Sequence, residues 1–435
     1  MYFFYSLLLI TWGLALLPIF LYRAWRHGKR LPGMRQRFGH LPEHLRADGR
    51  TVIWFHSCSV GETLSLEPLV RILRERLPDA RFLFSTVTPT GQEIAVKNFG
   101  AENVFYFPVD LAFVVRRVLD WIKPSLIVII DTEIWPNLLH QARRLHVPIA
   151  MANGRISSDS FRYYRLARPV LRRVLRNYTA LMMQSREDAQ RIAAIGAPRE
   201  KISTPGNMKF DRDLFRRDSN EALQRDLAEN FGLVADTPLI VAGSTHPGEE
   251  SILLEVLREL RQTAGLEKTR LLLAPRHPER FDKAAAETEV AGFMVRRRTR
   301  KSDAAAPVLL LDTLGELMEV YRFADVVFVG GTLVNRGGHS ILEPAAFAKA
   351  IVVGTSMENF RAVRNEFVAC GAIRQIKATE QDRHAQTEQL LDVFRELLQN
   401  GEARESLGKA ALAVLEKNQG AAQRIANWII DAINR

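Results

Sequence analysis

Two doubly wound α/β domains, preceded by one apolar N-terminal segment, are what this sequence predicts, and three observations carry that expectation. Short β-rich runs alternate with helical patterns along most of the chain, the sign of parallel βαβ units. The runs fall into two series, parted near 205–237 by a mixed-charge stretch of little strand character, MKFDRDLFRRDSNEALQRDLAENFGLVADTP. Almost every unusual polar cluster stands directly after one of the runs, and the carboxyl ends of parallel strands are where wound α/β sheets bind ligands. A length of 435 residues suits two or three domains, and 47% apolar with 25% charged residues are globular values. Disordered, collagenous and polytopic membrane chains are thereby excluded.

The first element is the uncharged run from Tyr2 to Tyr22, about the length of one bilayer crossing. Arg23, Arg26, Lys29, Arg30, Arg35 and Arg37 follow it and no charged side chain precedes it, so the positive-inside rule leaves the rest of the chain in the cytoplasm. The pattern reads as an uncleaved signal anchor, spanning or steeply embedded; the alternative is an apolar helix docked on the protein. The first series of strands is TVIWFH (51–56), RFLFST (81–86), VFYFP (104–108), LIVII (126–130), IAMAN (149–153) and ALMMQ (180–184). Between its last two members lies FRYYRLARPVLRRVLRNY, with Arg162, Arg165, Arg168, Arg172, Arg173 and Arg176 on one broad stripe. This segment is either a solvated basic face or a helix lying on anionic lipid with Tyr163, Tyr164 and Leu171 at the interface, split in two by Pro169. The second series is PLIVAG (238–243), RLLLA (270–274), VLLL (308–311), VVFVG (326–330) and AIVVG (350–354).

A net charge of +11 favours an anionic partner, a nucleotide, a nucleic acid or an acidic lipid surface, without choosing among them. The two cysteines, Cys58 and Cys370, are far apart and form no CxxC pair, so neither a zinc cluster nor a disulfide framework can be built from them. In HSCSVGETLS, Glu62 enters the first turn of a helix, where a carboxylate is held ionised. It is there either as a helix-end charge or as a general base for a hydroxyl nucleophile. The fragment lacks the glycine that a nucleophile elbow requires two positions before its serine. DTEIWPN sets Asp131 and Glu133 beyond LIVII, for a metal, for acid/base work or for loop capping, with metal least supported. Lys209, in TPGNMKFD, is placed to reach a phosphate or to pair with a surface acid.

In the second half, PRHPER offers Arg276 for a phosphate at a strand-end turn, with His277 as a loop cap. GGHSILEP joins Gly337 and Gly338, which permit close backbone approach, to a helix beginning near Ser340, and Glu343 there is placed to accept from ribose hydroxyls. DTLGEL adds Gly315 and Glu316. Together they suggest a sugar-nucleotide site, while the absence of Walker A and GxGxxG patterns speaks against an ATPase or a dehydrogenase.

HSCSVGET, TVTPTGQE, DTEIWPNL, GNMKFD, STHPGEES, APRHPERF, DTLGEL and GGTLVNRGGHSILEPAAF, in this order after an apolar N-terminus, resemble the 3-deoxy-D-manno-octulosonic acid (Kdo) transferases of lipopolysaccharide assembly. The resemblance covers nearly the whole chain. It implies a GT-B fold of two Rossmann-like domains facing a cleft: anchor and basic flank at 1–30, acceptor domain at 31–205, linker at 206–237 and CMP-sugar donor domain at 238–435. It implies inverting transfer of Kdo from CMP-Kdo to a lipid A precursor, lipid IVA, at the cytoplasmic face of the inner membrane. It also implies anionic membrane lipid as a partner, no role for nucleic acid, and no metal or cofactor. By the same carry-over Glu62 is the general base, and Asp131 and Lys209 stabilise the transition state. Pro275 and Arg276, Leu314, Gly315 and Glu316, and Ser340, Ile341, Leu342 and Glu343 hold CMP. The family usually has Glu where this chain has Asp131 and Asn where it has Ser340. Those departures keep two alternatives open: a same-fold transferase with another nucleotide sugar or acceptor, and a non-catalytic nucleotide-binding homologue.

Overall fold

Each apolar run of the sequence becomes a strand of one of two parallel sheets. The computed structural model describes residues 1–27, 32–211, 220–233, 237–300 and 305–434, the side chains of 16–27, 158 and 159 excepted. Two compact units result, Met1–Arg212 with Asn418–Arg435, and Asp213–Lys417.

The first unit holds strands β1 (Val52–Ser57), β2 (Arg81–Thr86), β3 (Val104–Tyr106), β4 (Leu126–Ile130), β5 (Ile149–Gly154), β6 (Ala180–Met183) and β7 (Ile202–Ser203), in the order β3-β2-β1-β4-β5-β6-β7. Both faces are covered, which is why β4 is a continuous apolar run rather than an alternating one. Alternate residues serve opposite cores: Trp54, Ile127 and Ile129 on one side, Ile53, Phe55, Val128 and Ile130 on the other. The second unit holds β8 (Leu239–Thr245), β9 (Arg270–Pro275), β10 (Val295–Arg297), β11 (Val308–Leu310), β12 (Val326–Val329), β13 (Ala350–Val353) and β14 (Arg374–Gln375), in the order β10-β11-β9-β8-β12-β13-β14. Chain direction across each sheet reverses at one point, between β1 and β4 in the first and between β8 and β12 in the second. Ligand crevices of open α/β sheets form at such points.

Three boundaries differ from those expected. Residues 206–211 belong to the first unit and the helix Glu221–Phe231 to the second, while 212–219 and 234–236 of the expected linker lie outside the described residues. The last helix, Ala421–Ile433, returns to the first unit, where Ile425 and Ile429 join the core that contains Phe55 and Val128. Asp211 fixes that return by accepting from the Gly420 and Ala422 amides at 2.5 and 2.6 Å.

The N-terminal run forms the helix Tyr2–His27. Its first turns dock on the helix Pro136–Arg144: the Tyr2 ring stacks on His140 at 3.9 Å, and Asn137 Nδ2 donates to Ser6 Oγ at 3.0 Å. Phe3, Phe4, Leu7, Leu8, Trp12 and Leu14 are left exposed. Among the described residues no helix is long and apolar enough to cross a membrane. The later part of the expected anchor, from Leu16, and its basic flank through Arg30 lie outside the described side chains. The arginine-rich segment is split as Pro169 requires, into Ser158–Leu166 and Arg168–Leu175. Leu171, expected at a lipid interface, instead packs in the core beside Val174, and Tyr164 leans on the same core. Tyr163, Leu166 and Val170 take the exposed positions.

Candidate active site

In the first unit the carboxyl ends of β1 and β4, on either side of the reversal point, bring three acids together. Ser59 caps the short helix Val60–Ser65 and Glu62 is its third residue. The carboxylate reaches back, accepting from Ser59 Oγ at 2.7 Å through Oε1 and from the Cys58 amide at 2.7 Å through Oε2. This is a capping box displaced by one residue, and it holds the side chain in one orientation. Burial pushes the Glu62 carboxyl above the usual carboxylate range, against these hydrogen bonds. Glu133 is pushed up to about 7, first by burial and next by the charge of Glu62, with Asp131 adding to it. The Glu62 charge thus acts on Glu133, and the Asp131 charge raises both.

Asp131 adopts a left-handed backbone, φ 63°, which Asp tolerates through local hydrogen bonding. Its Oδ1 accepts from the Thr132 amide at 2.8 Å and its Oδ2 from Arg155 Nε at 2.8 Å. Lys209 lies in the turn Met208–Asp211 beside the Glu62 helix. Asn153, at the end of β5, fixes that turn by accepting from the Met208 amide at 2.9 Å, and Met208 and Phe210 are buried. The three residues expected to be catalytic therefore share one edge of one unit, Glu62 and Asp131 by mutual electrostatics and Lys209 through its turn. Glu133 joins them as the acid that the DTEIWPN string offers two positions on.

In the second unit the three expected CMP stretches stand at the carboxyl edge over the adjacent strands β11, β9, β8 and β12. Pro275 ends β9, and the Arg276 amide donates to Thr245 O at the end of β8 at 3.0 Å, leaving an exposed guanidinium. Leu314 is exposed and Gly315 has φ 86°. Glu316 is held by Arg298 in a two-pronged pair at 3.0 and 3.1 Å, so its carboxylate is engaged within the protein. Ile341 and Leu342 are buried and offer a ligand only their backbone. The helix expected near Ser340 is a single turn, Leu342–Ala345, too short for a helix-dipole argument. Ser340 Oγ is buried and has no hydrogen-bond partner among the described residues, which fits a hydroxyl awaiting a ligand.

The sequence reading missed what organises this edge. The fully buried Glu249 accepts from the amides of His246, Gly331, Thr332 and Leu333 at 2.9, 2.8, 3.0 and 3.0 Å, tying the turn after β8 to the turn after β12. Burial pushes Glu249 up to about 7, while the four amides favour its charged form. His246 Nε2 lies 2.8 Å from His339 Nε2, and a Cβ at Gly331 would meet those rings at 3.2 and 3.4 Å, so the glycine admits the pair. The signal was present in STHPGEE, an acid three residues past a strand-end polar residue. Among the described residues no group of three or more His, Cys, Asp or Glu side chains is gathered as a metal would need.

The family model described as 3-Deoxy-D-manno-octulosonic-acid transferase (kdotransferase) matches residues 32–212. A 3-deoxy-D-manno-octulosonic acid transferase of Haemophilus influenzae is 34% identical over 388 residues, 88% of this chain and 87% of that one. One from Bordetella pertussis is 32% identical over 435 residues, 96% and 97% of the two chains. Among solved structures, a UDP-GlcNAc 2-epimerase from Neisseria meningitidis superposes with a TM-score of 0.59, covering 88% of this chain and 100% of its own. At 11% identity that likeness is one of fold, the two-domain fold shared with GT-B glycosyltransferases.

Proposed function

The chain belongs to the 3-deoxy-D-manno-octulosonic acid transferase family, glycosyltransferases of lipopolysaccharide biosynthesis, and from that premise we propose that it moves Kdo from CMP-Kdo to lipid IVA at the cytoplasmic face of the inner membrane, with inversion. The observation that carries the reading is the placing of Glu62, oriented by Ser59 and Cys58 and raised by burial, beside Asp131 at the reversal point of the first sheet.

Glu62 takes the proton of an acceptor sugar hydroxyl as that oxygen attacks the anomeric carbon of Kdo. The bond from that carbon to the phosphate oxygen breaks, and CMP leaves with the electron pair. On the second unit the departing phosphate is met by Arg276 and by Ser340 Oγ, which needs a partner. Asp131 and Lys209 supply fixed charge near the developing oxocarbenium centre, Asp131 held by Arg155. The resemblance carries no metal into this scheme, and proton transfer through Glu62 needs none. The exposed apolar face of the N-terminal helix and the exposed Tyr163, Leu166 and Val170 support seating on the membrane that carries the acceptor.

Donor competition tests the nucleotide: CMP raises the melting temperature and UDP leaves it unchanged. Protection by UDP with CMP inert would transfer the reading to another nucleotide sugar.

A further inference from the structure

Arg143, Arg168, Arg172, Arg176, Lys201 and Glu200 line a cavity of about 560 Å³ in the first unit that none of the chemistry above uses. Three elements build it: the end of the helix Pro136–Arg144, one face of the helix Arg168–Leu175 continued to Arg176, and the loop 196–201. Arg168, Arg172 and Arg176 recur every fourth residue and so share a face. Among the described residues none of the three is ion-paired. Lys201 is fixed, its Nζ donating to the carbonyls of Arg176 and Tyr178 at 3.0 and 2.7 Å. Gly196, with φ 112°, lets the loop lie against the helix, since a Cβ there would meet Arg172 Cβ at 2.7 Å. The result is five cations around one space, with Glu200 as the single acid of the lining.

Exposed apolar side chains stand elsewhere on the helices Ser158–Leu166 and Arg168–Leu175. Leu166 and Tyr163 are 83% and 73% exposed, and Val170 stands in the open beside them. Asn177 connects the cavity to the N-terminal helix: its Oδ1 accepts from Arg143 at 3.3 Å and its Nδ2 donates to the Tyr2 hydroxyl at 2.8 Å. A concentrated cationic pocket tied through Asn177 to the start of a helix whose Phe3, Phe4 and Leu7 are exposed matches an amphiphile with an anionic head. The cavity opens at the amino ends of β6 and β7, whereas Glu62 and Asp131 stand at the carboxyl ends of β1 and β4. Those edges are a strand length apart, roughly 13–20 Å, so the occupant is not the reacting hydroxyl.

We propose that this cavity seats the headgroup phosphate of an anionic glycerophospholipid, whose acyl chains lie along the N-terminal helix. The inference rests on the membrane reading of the function and gives it a place. Arginine forks suit a phosphate, and a lipid held here fixes the first unit on the membrane surface independently of the acceptor.

The test is flotation of the full chain with phosphatidylcholine vesicles doped with phosphatidylglycerol, against vesicles of phosphatidylcholine alone. Arg168→Gln/Arg172→Gln/Arg176→Gln is expected to lose about 100-fold in affinity for the doped vesicles and to keep detergent-phase turnover. Arg74→Gln/Lys97→Gln/Lys123→Gln, which removes the same charge elsewhere on the unit, is expected to keep its binding. An equal fall in both variants would mean diffuse charge, and no fall in the first would empty the cavity of its role; either overturns the proposal. So would a thermal shift with inorganic phosphate that the first variant abolishes while vesicle binding is unchanged, or a raised KM for the acceptor in micelles free of phospholipid. Failure of the wild-type chain to bind either vesicle would remove the membrane reading as well, with turnover in detergent still testing the transferase.

Discussion

His246 and His339 face each other Nε2 to Nε2 at 2.8 Å across the reversal point of the second sheet, their rings parallel to within 1°. One Nε2 must donate and the other accept, so the accepting imidazole is neutral, and burial favours the neutral form of both. Burial lowers both, and Arg276 and His277 nearby lower them further, with Arg336 also acting on His246; His339 falls to about 4.

That pair makes the second unit sensitive to acid. A histidine whose folded value lies below its ordinary 6.5 or so contributes stability that is complete above about 6.5 and is lost as the pH falls through the folded value. Calorimetry between pH about 7 and 4 should show melting temperature falling with pH, and less steeply in His339→Gln. An unchanged slope in that variant would place the acid sensitivity elsewhere, for instance at the buried His56, which lies at about 3.

Glu249→Gln replaces an acceptor surrounded by four amides with a group that presents hydrogens to them. Leaving buried donors unsatisfied costs about 1–3 kcal/mol each way the network breaks, so the variant should lose about 2 kcal/mol of stability and most of its CMP affinity. Urea unfolding and CMP titration measure both. Retained CMP affinity would show that the two turns hold their places without the clamp.

Glu62→Gln should cut turnover by about 10²-fold or more, the usual worth of a general base, while CMP affinity stays near that of the wild type. The base lies on the first unit and the expected CMP stretches on the second, which is why the two readouts separate.

The raised Glu62 carboxyl, with Glu133 raised beside it, sets the acid limb of the pH profile. Both carboxyls are raised, so kcat/KM should decline on the acid side at a pH above the ordinary carboxylate range. Removing the Asp131 charge relieves Glu62, and in Asp131→Asn the limb should move to lower pH whatever the fall in rate. A limb that stays put would detach Asp131 from the base.

Much of this architecture was legible in the residues. All eleven apolar runs read as strands are strands, because a parallel sheet covered on both faces demands continuous β-branched and apolar stretches such as LIVII and AIVV. The three strands not foreseen, β7, β10 and β14, are two or three residues long and lie at sheet edges, where a segment such as VRR needs no apolar signal. The helix Ala421–Ile433 carries a clear apolar stripe, but a stripe does not say which core it will enter; the Asp211 cap does, from more than 200 residues away. That Glu62 and Asp131 share one sheet edge was legible because Asp131 follows β4 directly and Glu62 sits in the first helical turn after β1. The Glu249 clamp was not, since its meaning lies in amides contributed by a turn some 80 residues downstream.

Transfer of Kdo is read directly by turnover of the purified chain in detergent with CMP-Kdo and a tetraacylated lipid A precursor, followed by the mass of the lipid product. A gain of one or more whole Kdo masses is expected, lost in Glu62→Gln. An unmodified lipid, with CMP still bound by the protein, would contradict it and leave a nucleotide-binding homologue in which Asp131 and Ser340 mark the departure from catalysis.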